Sequence, residues 1–300
     1  NLVDTAGHGT GRLDTDLLKS SVFAVPPSAE QKRIARVLRT WDEAIGATER
    51  LLANSREQMR ALLAHTLKLP ITHLVDPAES RSTFPPSVQA GIPKLPPTPP
   101  GWRQIQLGTH LREIRRSIRL EPEQTYTLVT VKRSRGGVQK RDVLRGAEVK
   151  TPTQSIVRAG DFLISKRQIV HGACGIVPTD MDGAVVSNEY AVLNGDGQID
   201  FGFLRYLSES LYFQQTCFHS SIGVHVEKMI FKLERWLSWP FNIPPLVEQQ
   251  RIVQILDSAS SEIAQLERKP QLLNLEKRAL MSQLLTGKRR VKMSRERALK

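Results

Sequence analysis

A nine-residue phrase occurs twice in this chain, and each time it stands at the start of a long helical pattern. Pro26–Ile34 reads PPSAEQKRI, and Pro244–Ile252 reads PPLVEQQRI, 218 positions later. A residue that precedes proline avoids the helical region, and a glutamate in the first turn complements the positive end of a helix. Each phrase therefore predicts the end of an extended segment followed by the start of a helix.

Both helical patterns carry a heptad seam in the same register. Mostly apolar or small residues step by alternating four and three, and each seam position recurs 218 residues later. Such a seam requires a partner helix, and we predict that the natural partner of each copy is the other, as a two-helix coiled coil. The seam positions are Ile34, Leu38, Trp41, Ile45, Thr48, Leu52, Ser55, Met59 and Leu62, and then Ile252, Leu256, Ala259, Ile263, Leu266, Pro270, Leu273, Lys277 and Leu280.

One seam position is a proline. Pro270 removes a backbone hydrogen bond and costs a helix roughly 3 kcal/mol. We therefore expect a kink or a helix break near Lys269.

The composition favours a nucleic-acid partner. The chain has 43 Lys and Arg against 30 Asp and Glu, a formal net charge of +13, and a basic surface gains affinity for phosphates by releasing counterions. Two cysteines, Cys174 and Cys217, are too few for a disulfide framework and predict a reducing, cytoplasmic compartment. No apolar run is long enough to cross a membrane, so we expect no membrane partner.

A proline-rich linker and a globular domain separate the two helical patterns. Pro70–Pro100 holds nine of the 18 prolines and predicts an extended spacer. The following region, to about Pro240, switches to short β-branched runs punctuated by glycine, with helical spacing over Phe203–Phe213, which together predict an α+β domain with a mostly antiparallel sheet. The predicted strands are Tyr126–Val131, Asp161–Ser165, Gly175–Val177, Ala184–Ser187 and Tyr190–Leu193.

Two enzymatic interpretations are weaker. Asp142 with Glu148 and Lys150 has the residue types of a magnesium nuclease, although charged strands produce this pattern by chance. His171 with Cys174, and Cys217 with His219, supply four residues of zinc-ligand type, although their apolar neighbours indicate buried core positions. We predict no catalytic residue and no metal site.

The motifs in this domain resemble those of the DNA specificity subunits of Type I restriction-modification systems. In that family a target recognition domain starts with a Pro-Gly-Trp phrase and ends with the Pro-Pro-x-x-Glu-Gln phrase that opens a spacer helix. The likeness covers nearly the whole chain. The matching phrases are Pro100–Trp102, Leu107–Gly108, Gly160–Ser165, Val186–Leu193, Phe203–Leu207 and the repeated helix start.

The resemblance implies a non-catalytic subunit with two recognition domains, each of which reads half of a bipartite double-stranded DNA target. Two antiparallel helices hold these domains apart and bind methyltransferase subunits. The assembly also recruits restriction subunits. S-adenosylmethionine, ATP and Mg are expected on those partner subunits and no cofactor on this chain. The implied organisation is an N-terminally truncated one: a remnant of the first recognition domain at 1–25, the first spacer helix at 26–69, a linker at 70–100, the second recognition domain at 101–243, the second spacer helix at 244–287 and a basic tail at 288–300.

Candidate DNA contacts are basic and polar residues in or beside the loops of the predicted domain. Arginine suits the two guanine acceptors and glutamine suits adenine, while lysine and serine mostly hold phosphates. The candidates are Lys132, Arg133, Arg135, Lys166, Arg167, Gln168, His171, Ser220, Ser221, His225 and Lys228.

Two further interpretations stay open. The chain could be a coiled-coil adaptor whose middle domain binds another protein, or a half-length specificity subunit that self-associates to restore two recognition domains. Binding to duplex DNA that weakens steeply with salt would separate the DNA-reading interpretation from the adaptor.

Overall fold

The computed structural model describes residues 3–5, 11–13, 15–20, 25–76, 88 and 91–291. The chain divides into two compact units, the first made of Asn1–Ser55 and Glu262–Lys300 and the second of Arg56–Ser261. Each of the two long helices contributes a part to each unit.

The described residues form the following helices and strands. In chain order these are β1 (Val3–Thr5), β2 (Gly11–Leu13), α1 (Thr15–Ser20), α2 (Ser28–Thr66), β3 (Arg103–Gln106), β4 (Leu111–Glu113), β5 (Ser117–Arg119), β6 (Thr125–Val131), β7 (Val138–Arg145), β8 (Thr153–Ile156), β9 (Phe162–Ser165), β10 (Cys174–Ile176), β11 (Val185–Val186), β12 (Tyr190–Gly195), α3 (Phe201–Leu207), α4 (Leu211–His219), β13 (Ser221–Ile222), β14 (Ile230–Phe231), α5 (Leu233–Leu237), β15 (Pro240–Ile243) and α6 (Leu246–Leu285).

The segment that the resemblance identifies as a remnant of a first recognition domain holds β1, β2 and α1. The two strands pair antiparallel, with Val3 opposite Leu13. His8, Gly9 and Thr10 of this segment lie outside the described residues.

The repeated phrase forms the same local structure in both copies. The glutamine side chain of each phrase donates to the carbonyl of its first proline, Gln31 to Pro26 at 2.8 Å and Gln249 to Pro244 at 2.9 Å. The backbone amides of Glu30 and Glu248 donate to the second proline's carbonyl. The two glutamate amide bonds satisfy N–H groups that a helix start leaves without intrahelical partners, and the glutamine bonds hold the prolines against the first turn, so the phrase is a helix-start signal in physical terms.

The seam predicted from the heptads is the least exposed stripe of both helices. All eighteen seam positions are buried or half-buried, and Ile34, Ile45, Ile252 and Leu256 are among the buried ones. This pattern is what a helix shows when one face packs and the others meet water.

The ion pairs of the first unit show that the two helices run antiparallel there. Arg290 donates to both carboxylate oxygens of Glu30, at 3.0 and 2.5 Å, and Lys277 pairs with Asp42. Glu30, which precedes Asp42 in the chain, thus pairs with Arg290, which follows Lys277. The antiparallel arrangement that the resemblance implied is confirmed.

Of the kink or helix break expected near Lys269, the break is wrong. α6 continues as one helix through Pro270 to Leu285. Pro270 lies on the half-buried seam, where packing of its neighbours Leu266 and Leu273 favours the helix, and most helical stability in proteins comes from such packing. The side chain of Asn274 also donates to the Pro270 carbonyl at 2.9 Å.

Two sheets form the frame of the second unit. A four-stranded antiparallel sheet has the order β10-β9-β12-β4, and a five-stranded sheet has the order β5-β8-β11-β6-β7. Within the second sheet only the β11–β6 pair is parallel. The predicted α+β class with a mostly antiparallel sheet is therefore confirmed.

Both faces of strand β9 are buried. Since side chains along a strand alternate between faces, its neighbouring residues belong to different clusters. Phe162 and Ile164 belong to the large core cluster, which also contains Phe203 of α3 and Trp236 of α5. Leu163, between them, belongs to a separate valine-rich cluster with residues of β6 and β7. The four-stranded sheet is thus a middle layer, with the helices on one face and the second sheet on the other.

The helical spacing over Phe203–Phe213 produces two helices and not one. α3 ends at Leu207, and Ser210 starts α4 by accepting a hydrogen bond from the Phe213 amide at 3.2 Å. Serine at this position competes with helix continuation because its side chain satisfies a free amide of the next helix.

The described parts of the proline-rich linker belong to the second unit and pack within it. Leu74 and Val75 are buried, and the Val75 amide donates to the Glu209 carbonyl at 2.9 Å. Near its end, Asn242 donates to the Pro96 carbonyl at 2.9 Å. An extended proline-rich chain offers carbonyls without matching amides, and here side chains of the domain satisfy them.

The motif tryptophan joins the beginning and the end of the domain. Trp102 is buried, and its indole N–H donates to Glu248, at the start of α6, at 3.1 Å. β3, which follows Trp102, pairs with β15, which precedes α6. The Pro-Gly-Trp phrase and the second Pro-Pro phrase therefore lie next to each other and join the two ends of the domain.

Candidate nucleic-acid interface

Three loops of the second unit that carry predicted DNA contacts meet at one place. They are the β6–β7 hairpin loop (residues 132–137), the turn after β9 (residues 166–172) and the β13–β14 loop (residues 223–229). The Ser134 amide donates to the His171 carbonyl at 2.7 Å, and the Arg135 amide donates to the Gly172 carbonyl at 2.9 Å. We call this surface the three-loop surface.

The hairpin loop has a tight left-handed conformation. Ser134 and Arg135 both have positive φ, 53° and 57°, as does Gly137. The Lys132 amide closes the loop by donating to the Gly137 carbonyl at 2.9 Å. Consecutive non-glycine residues in this region of backbone space require outside support, and the two bonds to the turn after β9 supply it.

Arg133 ties the three loops together through its guanidinium. Its Nε donates to Gln168 at 2.7 Å, and its terminal nitrogens donate to the Glu227 carboxylate at 2.7 and 3.5 Å. The same carboxylate lies 3.2 Å from the His171 ring. A guanidinium offers five N–H donors in a fixed fork, so the edge that would bind guanine bidentately is already in use in this arrangement.

His171 lies beneath the Arg133 and Glu227 contacts, in an environment that favours its neutral ring. Its side chain is buried, and burial lowers its pKa, helped by the charge of Arg133 and opposed by Glu227. Desolvation penalises the protonated ring more than the carboxylate stabilises it.

Arg135 points into the domain and not toward the surface. Its side chain is 7% exposed, and its guanidinium donates to the Ser208 carbonyl at 2.9 Å and to Gln214 at 2.7 Å. Gln214 in turn donates to the carbonyls of Ile169 and Val170 at 2.9 and 2.8 Å. This placement argues against direct DNA contact and makes Arg135 a positioning residue for the hairpin loop.

Ser220 and Ser221 are also buried. The Ser220 hydroxyl accepts from the Trp239 indole at 3.1 Å, and the Ser221 hydroxyl donates to the Cys217 carbonyl at 2.8 Å. Both serines therefore connect α4 to its surroundings, and neither presents its hydroxyl to solvent.

Lys166 and Arg167 also carry acidic partners. Lys166 contacts Glu113 at 3.0 Å and is mostly covered, whereas Arg167 forms an ion pair with Glu189 and stays half exposed. An exposed pair of this kind is weak, so a phosphate can replace the carboxylate on Arg167 at little cost.

The exposed members of the predicted set are Lys132, His225 and Lys228 on two of the three loops, with Arg133 and Arg167 partly committed to carboxylates. Sequence analysis missed Glu227 and Gln214, which hold the surface in place. An isolated acidic residue among cations and a glutamine inside an apolar helix give no signal in a single sequence.

A polar groove lies beside this surface. It has a volume of about 400 Å³, and Lys166 at the edge of the three-loop surface is one of its walls. Other walls include Arg115, Asn188 and Tyr190. These residue types can contact phosphates and base edges, and none of the latter three was among the predicted contacts.

The metal and nuclease interpretations gain no support. Cys174 and Cys217 are buried free thiols, and burial raises the pKa of Cys174 to about 11, which disfavours the thiolate that zinc requires. Glu148 accepts a hydrogen bond from the Arg145 amide at 2.7 Å as a local cap. Within the residues that the structure describes, no three His, Cys, Asp or Glu side chains are grouped as metal ligands.

None of the described helices is both long and apolar enough to cross a bilayer.

A family match assigns the chain to a DNA-specificity class. A model of the Type I restriction modification DNA specificity domain matches residues 114–275, more than half of the chain. The chain belongs to this family, and the match includes all three loops. The resemblance inferred from the repeated phrase and from Pro100–Trp102 is confirmed.

A solved specificity subunit is similar in fold. The HsdS subunit from Thermoanaerobacter tengcongensis matches with a TM-score of 0.52 at 19% identity, over 94% of this chain and 65% of that chain. The Type-I restriction-modification system S subunit from M. genitalium matches with a TM-score of 0.48 at 13% identity, over 98% and 69%. This chain spans less than two thirds of the T. tengcongensis subunit. The comparison with curated proteins found no match.

Proposed function

We propose that the chain recognises duplex DNA as the specificity component of a Type I restriction-modification complex, and that its second unit reads one half of a bipartite target. The observation that carries this proposal is the convergence of three loops with exposed Lys132, His225 and Lys228, inside the segment that matches a DNA specificity family. Family membership, and not any feature missing from the structure, supports a non-catalytic role.

The proposed partners follow from the same membership. Methyltransferase subunits would dock on the two long helices, whose seam is covered while their other faces are exposed and carry apolar residues such as Leu51, Leu272 and Leu275 among polar ones. Restriction subunits, S-adenosylmethionine, ATP and Mg belong to the rest of the complex in this proposal. A cytoplasmic location stays a prediction from the cysteine usage.

The salt dependence of DNA binding tests the proposal. The affinity of the full chain for a mixed-sequence duplex should fall steeply with salt, because each neutralised phosphate adds about −0.9 to the slope of log affinity against log salt. Replacing Lys132 or Lys228 by alanine should weaken binding and lower that slope by about 1.

Lys32→Ala provides the matched control, since Lys32 is an exposed lysine on α2 in the first unit. Binding that is insensitive to salt, or slopes that Lys132→Ala and Lys228→Ala leave unchanged, would contradict the three-loop surface as the DNA site. No binding to duplex DNA at all, alone or with a methyltransferase partner, would favour the adaptor interpretation.

A further inference from the structure

The β13–β14 hairpin presents an apolar face to solvent next to the cations of the three-loop surface. Val224 is 95% exposed, and Ile222 and Ile230 are 48% and 42% exposed. Ile222 and Ile230 are directly paired across the two strands, so their side chains lie on the same face. Single exposed apolar residues are normal, but three on one small hairpin form a local patch.

The hairpin is held firmly at its base. Phe231 and Met229 are buried, and Phe231 packs against Trp236 at 6.0 Å between ring centres. A side chain at Gly223 would come within 2.9 Å of the Met229 Cα, so the two sides of the loop are in close contact. The apolar tip is therefore carried by an anchored loop.

The Glu227 contacts fix the same loop to the other two. Glu227 lies between Arg133 and His171, at 2.7 and 3.2 Å. These contacts keep Val224, His225 and Lys228 beside the hairpin loop that carries Lys132. Apolar and cationic groups thus occupy one preformed surface.

Charge complementarity decides which partner suits this surface. Cations around an apolar tip match duplex DNA, in which phosphates flank a stack of apolar base faces. Proteins that deform DNA insert apolar side chains between base steps while nearby cations hold the backbone. Valine and isoleucine suit this role because branching at Cβ makes their side chains stiff.

We propose that the β13–β14 hairpin is a wedge that unstacks a base step of bound duplex DNA, with Val224 as the inserted side chain and Ile222 and Ile230 as its apolar flank. This inference rests on the proposed DNA-binding function and adds a deformation step to it. It makes the hairpin a reader of DNA deformability, in addition to any base contacts.

A pair of duplexes tests the wedge without knowledge of the target sequence. Both have the same mixed sequence, and one contains a short mismatched bubble whose bases are already unstacked. Since the bubble removes part of the unstacking cost, the full chain should bind it roughly tenfold more tightly than the intact duplex. Val224→Ser should reduce this preference to about twofold or less.

Two control variants separate the wedge from other causes. Val247→Ser changes a valine that is 78% exposed at the start of α6, and it should leave the bubble preference unchanged. Lys228→Ala should weaken binding to both duplexes by the same factor, because a phosphate contact does not distinguish them. An unchanged urea unfolding midpoint would show that Val224→Ser keeps the fold.

The outcomes distinguish this inference from the function on which it rests. Equal, salt-dependent binding to both duplexes would overturn the wedge and leave DNA recognition standing. A bubble preference that persists in Val224→Ser would also overturn it, since the preference would then come from other residues. Failure of the full chain to bind either duplex would overturn both proposals.

Discussion

Three basic residues of one short loop have three different roles. Lys132 is exposed to solvent, Arg133 joins Gln168 and Glu227, and Arg135 enters the domain to reach Gln214. Their sequence spacing does not separate them, because the left-handed backbone at Ser134 and Arg135 turns successive side chains in unrelated directions. The loop could therefore be recognised from the sequence as a cationic region, but the roles of its members could not.

Replacing Arg135 by alanine should destabilise the second unit. The substitution leaves the Ser208 carbonyl and the Gln214 amide oxygen without their buried donor, and loss of such a charged partner costs about 2–4 kcal/mol. Urea unfolding of the full chain would measure the loss, with Arg141→Ala on exposed β7 as the control. If Arg135→Ala kept the unfolding midpoint and lost DNA binding, Arg135 would be a contact residue after all.

His171 should make the stability of the fold depend on pH. Because its folded-state pKa is lowered, the unfolded chain binds the proton more readily, and the free energy of unfolding decreases as pH falls through the unfolded value of about 6.5. The contribution is fully present above that pH.

A His171→Gln variant isolates this effect from the other histidines. The difference in urea midpoint between wild type and variant should shrink on going from neutral to mildly acidic pH. A difference that is constant with pH would show that the ring does not titrate as its burial requires.

At the scale of the elements, periodicity was informative and charge was misleading. The heptads located every seam position of α2 and α6, because a 3.5-residue repeat can only be satisfied by a partner helix. The β-branched runs located β6, β9, β10, β11 and β12 to within a residue or two. β7 was not predicted as a strand, because its central residues Gln139–Asp142 are all polar and exposed.

Pro270 destabilises α6 locally without breaking it, so its replacement should stabilise the helix. Pro270→Ala restores an amide donor to an unbroken helix, and the gain should be about 1–3 kcal/mol. Thermal unfolding would show a higher midpoint for this variant than for wild type.

Gln271→Ala is the neighbouring control, because it changes an exposed residue of the same helix without changing a backbone donor. A lower midpoint for Pro270→Ala would mean that the proline ring packs on the seam more favourably than its missing hydrogen bond costs.

At the scale of the whole molecule, the repeated phrase predicted the organisation of the helices, whereas the candidate site depended on contacts between distant residues. Arg133 and Glu227 are 94 positions apart, and nothing in one sequence couples them. Burial of Ser220 and Ser221 was equally hidden, because two consecutive serines at the end of a helix carry no sequence signal of burial. Fold class therefore followed from local patterns, and the site did not.

The net charge of +13 should give salt opposite effects on folding and on DNA binding. Screening relieves the repulsion among excess cations, so added salt should raise the free energy of unfolding by up to about 1 kcal/mol, the scale of exposed charge interactions. The same salt should weaken DNA binding. A urea midpoint that falls with added sodium chloride would mean that exposed pairs such as Glu30–Arg290 outweigh the repulsion.

Main-chain hydrogen bonds and the inward side chain of Arg135 hold the hairpin loop between β6 and β7 from its inner side. The outward side chains of this loop therefore do not support the domain. Exchanging Lys132 on this loop, and His225 and Lys228 on the β13–β14 loop, for residues that hydrogen-bond to base edges should consequently add sequence preference without loosening the domain. A combinatorial library confined to those outward positions is thus a practical starting point for redirecting the protein to new targets.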